Sequence, residues 1–221
     1  MRAVIISNGT IEDYDAINEI IKEDDYIVCA DGGGFHARNL GIIPNVLIGD
    51  GDSIDDETLK YFESKGVTIL SYPKEKDQTD TQLAVEYACQ QQGIREMILV
   101  GCIGTRFDHT YGNVAMLIWL MKRGIRGIIV NKYNEVHVID RYIMLEGNPG
   151  DRLSLLPITS KINGIFTTGL KYELQDGELV YDQPRGMSNE FIATEAQIVI
   201  REGMLMVVKS RDWFIFSTVL I

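Results

Sequence analysis

Asp50 and Asp52 stand two residues apart in Gly49-Asp50-Gly51-Asp52-Ser53, directly after the apolar run Val46-Leu47-Ile48. Two carboxylates at the end of a buried strand repel each other unless a cation lies between them. Mg²⁺ takes hard oxygen ligands, commonly a few carboxylates together with waters and substrate phosphates. In an extended stretch, side chains at i and i+2 point the same way, so both acids can reach one ion. The competing explanation is helix capping, since Ser53 and Asp55 are good N-cap residues for a helix beginning near Asp56. Ser53 is expected to cap that helix. Capping still leaves Asp50 and Asp52, nearer the strand end, without a reason.

Four more segments share this chemistry: Ser7-Asn8-Gly9, Ala30-Asp31-Gly32-Gly33-Gly34, Tyr72 to Asp80, and Gly101 to His109. Glycines such as Gly9, Gly32 and Gly33 let a ligand approach the backbone closely, and a helix starting at Phe35 can offer its N–H groups to a phosphate. Taken alone, Asp31-Gly32-Gly33-Gly34 reads equally well as a tight turn. The chain contains neither GxGxxG nor GxxxxGK[ST]. In Lys74-Glu75-Lys76-Asp77-Gln78-Thr79-Asp80, Asp77 or Thr79 can cap the next helix while Asp80 suits its dipole. The chemical alternative puts Lys74 or Lys76 on phosphates, Asp80 on a metal, and Gln78 or Thr79 in hydrogen bonds. Arg106 is a natural fork for phosphate oxygens. Asp108 can cap a helix, face a cationic substrate or accept a proton, whereas a histidine placed like His109 more often caps or packs.

These loops need a frame that brings them together. Short β-rich runs at 3–6, 26–29, 46–48, 68–70 and 97–100 alternate with helical periodicity at 11–21, 35–40, 55–65, 79–92 and 109–123. That rhythm predicts an α/β fold, a mostly parallel sheet flanked by helices, whose strand exits converge on one edge where ligands bind. Beyond about Asn131 only short strand-like runs and turn signals remain, at 136–139, 152–156, 178–181, 190–193, 196–200 and 205–209. They predict a smaller all-β sandwich. The expected domains are 1–130 and 131–221.

With 32 acidic against 21 basic residues, a formal net charge of -11 and three histidines, the chain lacks the basic patch of a nucleic-acid binder and the clustered ligands of a zinc site. Cys29, Cys89 and Cys102 are widely spaced in apolar surroundings, which fits reduced thiols in the cytoplasm better than a disulfide framework. The start Met1-Arg2-Ala3-Val4 reads as a strand rather than a signal peptide, and the longest apolar run, 114–121, is too short for a membrane span.

In order, Ala30-Asp31-Gly32-Gly33, Leu47 to Ser53, Asp77-Gln78-Thr79-Asp80 and Gly104-Thr105-Arg106-Phe107-Asp108-His109 resemble the thiamine pyrophosphokinase family. Gly169-Leu170-Lys171-Tyr172 and Gly186-Met187-Ser188-Asn189-Glu190 are similar to that family's later signatures. The resemblance runs over nearly the whole chain. It implies an α/β catalytic domain that binds ATP, a β-sandwich that binds thiamine, and a cytoplasmic homodimer with active sites between subunits. The implied reaction moves the β,γ-pyrophosphoryl unit of ATP to the hydroxyethyl oxygen of thiamine and releases AMP.

By the same resemblance, Asp31, Asp50, Asp52 and Asp80 form the Mg²⁺ shell. Asn8, Gly9, Gly32, Gly33, Gly49, Lys76, Thr79 and Arg106 hold ATP, and Asp108 faces thiamine. Ser188 and Asn189 of a second subunit bind the pyrimidine, with Tyr172, Phe191 or Trp213 as stacking candidates. Gly34 stands where the family often has alanine and Gly51 where it often has phenylalanine, which implies looser packing around the site. Two other readings are a pyrophosphokinase acting on a pterin alcohol and a non-enzymatic nucleotide or thiamine sensor.

Overall fold

The structure, a computed structural model, describes residues 1–211, so Trp213 lies outside the described residues. It divides into two compact units, one spanning Met1–Lys132 and one beginning at Tyr133.

In the first unit, β1 (Arg2–Ile6), β2 (Tyr26–Ala30), β3 (Val46–Gly49), β4 (Thr68–Ser71), β5 (Glu96–Val100) and β6 (Arg126–Val130) pair in parallel in the order β6-β5-β1-β2-β3-β4. Between them run α1 (Tyr14–Ile20), α2 (Gly33–Asn39), α3 (Asp56–Ser64), α4 (Asp80–Cys89) and α5 (Phe107–Met121). Strands β1, β2, β3 and β5 are almost wholly buried, as continuous apolar runs in a helix-covered parallel sheet should be. One face packs Val4, Ile6, Cys29 and Leu47 against Ile17, Ala37 and Phe62 of the helices and Leu40 just past α2. The strand order reverses between β1 and β5, so the loops after these two strands open a crevice at the carboxyl edge.

The second unit is all β. Strands β7 (Asn134–Ile139), β9 (Arg152–Pro157), β12 (Asn189–Glu190) and β14 (Leu205–Ser210) form one antiparallel set in the order β12-β9-β14-β7. Strands β8 (Tyr142–Glu146), β10 (Lys161–Thr168), β11 (Gly177–Val180) and β13 (Glu195–Val199) form the other, in the order β11-β10-β13-β8. Ile143, Leu145, Leu153, Leu155, Ile198 and Val207 share one core between the two sets, which makes a sandwich. The expected fold class, a parallel α/β sheet followed by a β-sandwich, is what the chain adopts.

Three strands had no counterpart in the periodicity. The sixth parallel strand is Arg126–Val130, with Gly127, Ile128 and Ile129 buried. In β8, Tyr-Ile-Met-Leu-Glu is apolar on both faces, which hides the alternation. In β10, Asn163-Gly164 looks like a turn but forms a bulge: Gly164 takes φ +65 and the register shifts between Asn163 and Ile165.

Capping also differs from expectation. The N-cap of α3 is Asp55, whose carboxylate accepts from the Thr58 N–H at 2.8 Å, while the Ser53 hydroxyl donates to Asp52 at 3.0 Å. Ser53 lies three residues before the first helical residue, too far for its oxygen to reach the orphan N–H groups. Asp55→Ala should therefore lower stability by about 1 kcal/mol in urea unfolding, and Ser53→Ala by less than about 0.5 kcal/mol. The opposite ranking would reinstate Ser53 as the cap.

Candidate active site

The site begins with backbone approach. The exits of β1 and β5 are laced together: the Ser7 N–H donates to the Val100 carbonyl and the Gly9 N–H to the Gly101 carbonyl, both at 2.9 Å. A Cβ on Gly9 would strike the Gly101 carbonyl, and one on Gly33 the Ile6 carbonyl. Gly32 abuts the Asn8 amide, and a Cβ on Gly49 would come within 2.9 Å of Asp31 Cα and Cβ. These glycines let neighbouring exits lie against each other whatever ligand they serve. Gly34 does not loosen the packing as expected, because Leu47 and Ile54 methyls already fill the place of its missing Cβ at 2.6 and 2.7 Å. Gly51 takes φ +79 with open space around it.

That approach fixes the acids. Asp31 is buried at 6 % exposure, has the left-handed φ of 48, and donates its N–H to the Ile48 carbonyl at 2.7 Å. A non-glycine residue held there costs about 1–3 kcal/mol, which the surrounding structure must offset. Asp31, Asp50 and Asp52 each offer an oxygen within 4.8 Å of the others, close enough for one metal ion. Asp31 Oδ1 is buried and has no hydrogen-bond partner among the described residues. A hard cation suits this all-oxygen set. Asp50 and Asp52 meet across a turn rather than along an extended strand: the Asp52 N–H donates to Asp50 Oδ1 at 3.1 Å, with Gly51 at the bend.

Asp80 stands outside this trio and joins it through Lys76, whose Nζ lies 3.1 Å from Asp80 Oδ1 and 3.5 Å from Asp50 Oδ2. Burial raises the Asp80 carboxyl above the ordinary range, with Lys76 opposing. Burial also works against the Lys76 ammonium, yet Asp80 and Asp50 outweigh it and the pKa ends above its usual value. The exposed Lys74 sits 2.6 Å from Asp52 and, with Ser53, holds that carboxyl below the ordinary range.

A cleft of about 500 Å³ is lined by Asn8, Gly9, Asp31, Asp52, Thr79, Asp80 and Arg106, among others. Thr79 caps α4 by accepting from the Gln82 N–H at 3.1 Å. Arg106 forks onto Asp108 at 3.2 and 2.6 Å at the start of α5. The guanidinium, together with the His109 N–H, holds the Asp108 carboxyl at about 2, so it is a poor proton acceptor near neutrality. Several residues without a role in the sequence reading build the floor and wall. The Ser7 hydroxyl accepts from Thr81 at 3.0 Å and from the buried Cys102 thiol at 3.3 Å. Asn113 donates to the Cys102 carbonyl at 2.8 Å, and Thr110 receives the Gly104 N–H at 3.3 Å. Of these, only Thr110 and Asn113 carried a sequence signal, as polar residues on the helix α5 that opens beside Arg106.

Tyr172, Ser188 and Asn189 come together within the second unit. Asn189 accepts from the Tyr172 N–H at 3.1 Å and donates to the Tyr172 carbonyl at 2.8 Å, so its amide chiefly shapes this turn. Ser188 takes φ 57 and donates its N–H to Ser154 Oγ at 3.1 Å. Tyr172 is exposed and can stack on a ligand, whereas Phe191 is fully buried in the sandwich core and cannot.

Residues 17–129 match the family model "Thiamin pyrophosphokinase, catalytic domain", and residues 137–205 match "Thiamin pyrophosphokinase, vitamin B1 binding domain". The chain belongs to the thiamine pyrophosphokinase family. The thiamine pyrophosphokinase of Bacillus subtilis is 29% identical over 184 residues, covering 82% of this chain and 86% of that protein. A thiamin pyrophosphokinase of Caenorhabditis elegans is 21% identical over 207 residues, covering 90% of this chain and 77% of that one. The structure of thiamin pyrophosphokinase from Geobacillus thermodenitrificans superposes with a TM-score of 0.83 at 26% identity, over 97% of this chain and 99% of that one. The Bacillus subtilis structure shares the fold at a TM-score of 0.88 and 24% identity, over 96% of this chain and 100% of that one. The two family models fall on the α/β unit and on the β-sandwich respectively.

The Arg106–Asp108 pair carries a pH prediction. A carboxylate whose folded pKa is depressed contributes stability above its ordinary pKa and loses it as pH falls through the folded value. Asp108 should therefore titrate near 2 by carbon-detected NMR, and in Arg106→Ala its midpoint should rise toward the ordinary value of about 3.9. A midpoint unmoved by Arg106→Ala would assign the shift to another partner.

Proposed function

We propose that this family member is a Mg²⁺-dependent enzyme that transfers the pyrophosphoryl unit of ATP to the hydroxyethyl oxygen of thiamine, giving thiamine diphosphate and AMP. The observation that carries the metal-dependent chemistry is the trio Asp31, Asp50 and Asp52, with the buried, unpartnered Asp31 Oδ1 at the carboxyl edge of a parallel sheet. In this reading Asp31, Asp50 and Asp52 hold Mg²⁺ directly and Asp80 completes the acidic edge. The bound ion would supply charge neutralisation on the phosphate oxygens during attack at the β-phosphorus. The thiamine oxygen gives up its proton to solvent and forms the new bond to that phosphorus while the bridging bond to the α-phosphate breaks, and AMP leaves with that oxygen.

The chain's own groups do the rest by position and charge. Lys76 and Arg106 face phosphate oxygens. Asn8 and Gly9 present backbone and amide groups along the cleft, Gly32 and Gly33 let the strand exits approach closely enough to form it, Gly49 keeps room for Asp31, and Thr79 holds the start of α4. Asp108 remains ionised and faces the cationic thiamine rather than taking its hydroxyl proton. Tyr172, Ser188 and Asn189 form the pyrimidine contact, supplied by the partner in a homodimer. Phe107 and Tyr111, an exposed aromatic pair beside Arg106 and Asp108, support a subunit interface at the cleft. No helix among the described residues is long and apolar enough to cross a membrane, and Cys29 and Cys102 are buried free thiols, which suits a cytoplasmic enzyme.

AMP release measured with thiamine and with a pterin alcohol side by side tests the substrate. Turnover with thiamine alone is the expected result; turnover with the pterin alone, or thiamine uptake without AMP, would overturn the reading. Asp50→Asn and Asp52→Asn should each reduce turnover by at least about 10²-fold with the fold intact by circular dichroism. Wild-type rates in both would remove the metal assignment.

A further inference from the structure

Lys76 occupies an unusual place for a phosphate-binding lysine. Its side chain is only 14 % exposed and its ammonium stands between Asp50 and Asp80, which are 12 % and 25 % exposed. The Pro73 carbonyl accepts from it at 3.1 Å, which anchors the head group beside its own loop. Asp50 Oδ2 accepts at the long distance of 3.5 Å, and Asp80 Oδ1 at 3.1 Å is not in hydrogen-bonding geometry. The ammonium is therefore held mainly by charge. Asp50 also belongs to the carboxylate trio that suits a divalent cation, so one carboxylate answers to two cations.

We propose that Lys76 is the built-in counter-ion of the acidic site, competing with the divalent cation for Asp50 and passing to the phosphates of the nucleotide as that cation binds. The proposal rests on the metal reading above. Three features carry it. The acids repel one another, with Asp31, Asp50 and Asp52 oxygens within 4.8 Å and Lys76 spanning Asp50 and Asp80. A lysine is a compact charge on a flexible stem and can leave one set of oxygens for another without breaking a rigid fork. Its position on the loop before α4, four residues ahead of Asp80, lets the head group turn while the helix stays capped by Thr79.

Lys74 provides the contrast. It also pairs with one of the trio, Asp52 at 2.6 Å, but the side chains are 76 % and 46 % exposed, so solvent and salt screen the contact. Both lysines contribute equal charge to the region. Only Lys76 shares a desolvated carboxylate.

Mn²⁺ binding to the nucleotide-free protein, followed by calorimetry and electron paramagnetic resonance, tests this without turnover. Lys76→Met should bind Mn²⁺ about fivefold more tightly or better, by the reciprocity of coupled sites. Lys76→Arg should stay near wild type, and Lys74→Met should tighten clearly less than Lys76→Met. The KM for ATP of Lys76→Met should move the opposite way and rise, a pairing that a merely structural ion pair would not produce. Lys76→Gln, which retains a donor for Pro73, carries the same expectation and guards against a misfolded Met variant. Wild-type binding that Lys76→Met and Lys76→Gln leave equal or weaker would overturn the proposal alone, as would equal tightening in Lys74→Met. Absence of Mn²⁺ binding in every protein would overturn the metal reading and this proposal with it.

Discussion

Like-charge repulsion at one edge of a parallel sheet is the constraint around which the first unit is arranged. Asp31, Asp50 and Asp52 place oxygens within 4.8 Å of one another in a chain that already carries a formal net charge of -11. Such a cluster persists only where the backbone beneath it leaves no alternative. The lacing of Ser7 and Gly9 onto the β5 exit, the N–H of Asp31 on the Ile48 carbonyl, and Gly49 pressed against Asp31 supply that backbone. The sheet core below, with Ile6, Ile48 and Leu99 fully buried, holds the strands in register so that the exits cannot drift apart.

Cations meet this edge from two loops. Lys74 and Lys76 come from the segment before α4 and reach Asp52 and Asp50 respectively. The β5 exit contributes Arg106, already forked onto Asp108. Positive and negative groups thus interleave along this edge. A polyanion with its own divalent cation complements both, which is the electrostatic description of a metal–nucleotide complex. Asp108, held low by Arg106, stays ionised across the physiological range.

The second unit solves a different problem. Its sandwich core is separate, and the turn carrying Ser188 and Asn189 is fastened to Tyr172 by backbone-to-amide hydrogen bonds. These bonds fix the backbone of Tyr172 and leave its ring exposed. The second unit presents an exposed tyrosine on an apolar sandwich, while the first presents a cluster of carboxylates. That division matches the two family descriptions on the two parts of the chain.

From the sequence alone, the alternation of apolar runs and helical periods determined a parallel α/β sheet, and the turn-rich second half determined a sandwich. Local burial of apolar residues dictates both, so each element announces itself over a few residues. Gly49-Asp50-Gly51-Asp52-Ser53 could also be read as chemistry, since capping explains only part of it. The cap itself was misread, because Ser53 and Asp55 have equal propensity and only the point where α3 starts selects Asp55. The bulged Lys161–Thr168 was invisible, because Asn163-Gly164 reads as a turn and breaks its pattern in two. Which acids meet, and which lysine stands between them, was decided by tertiary structure alone. Distances between loops depend on strand order and backbone approach, and no local pattern of residues encodes them.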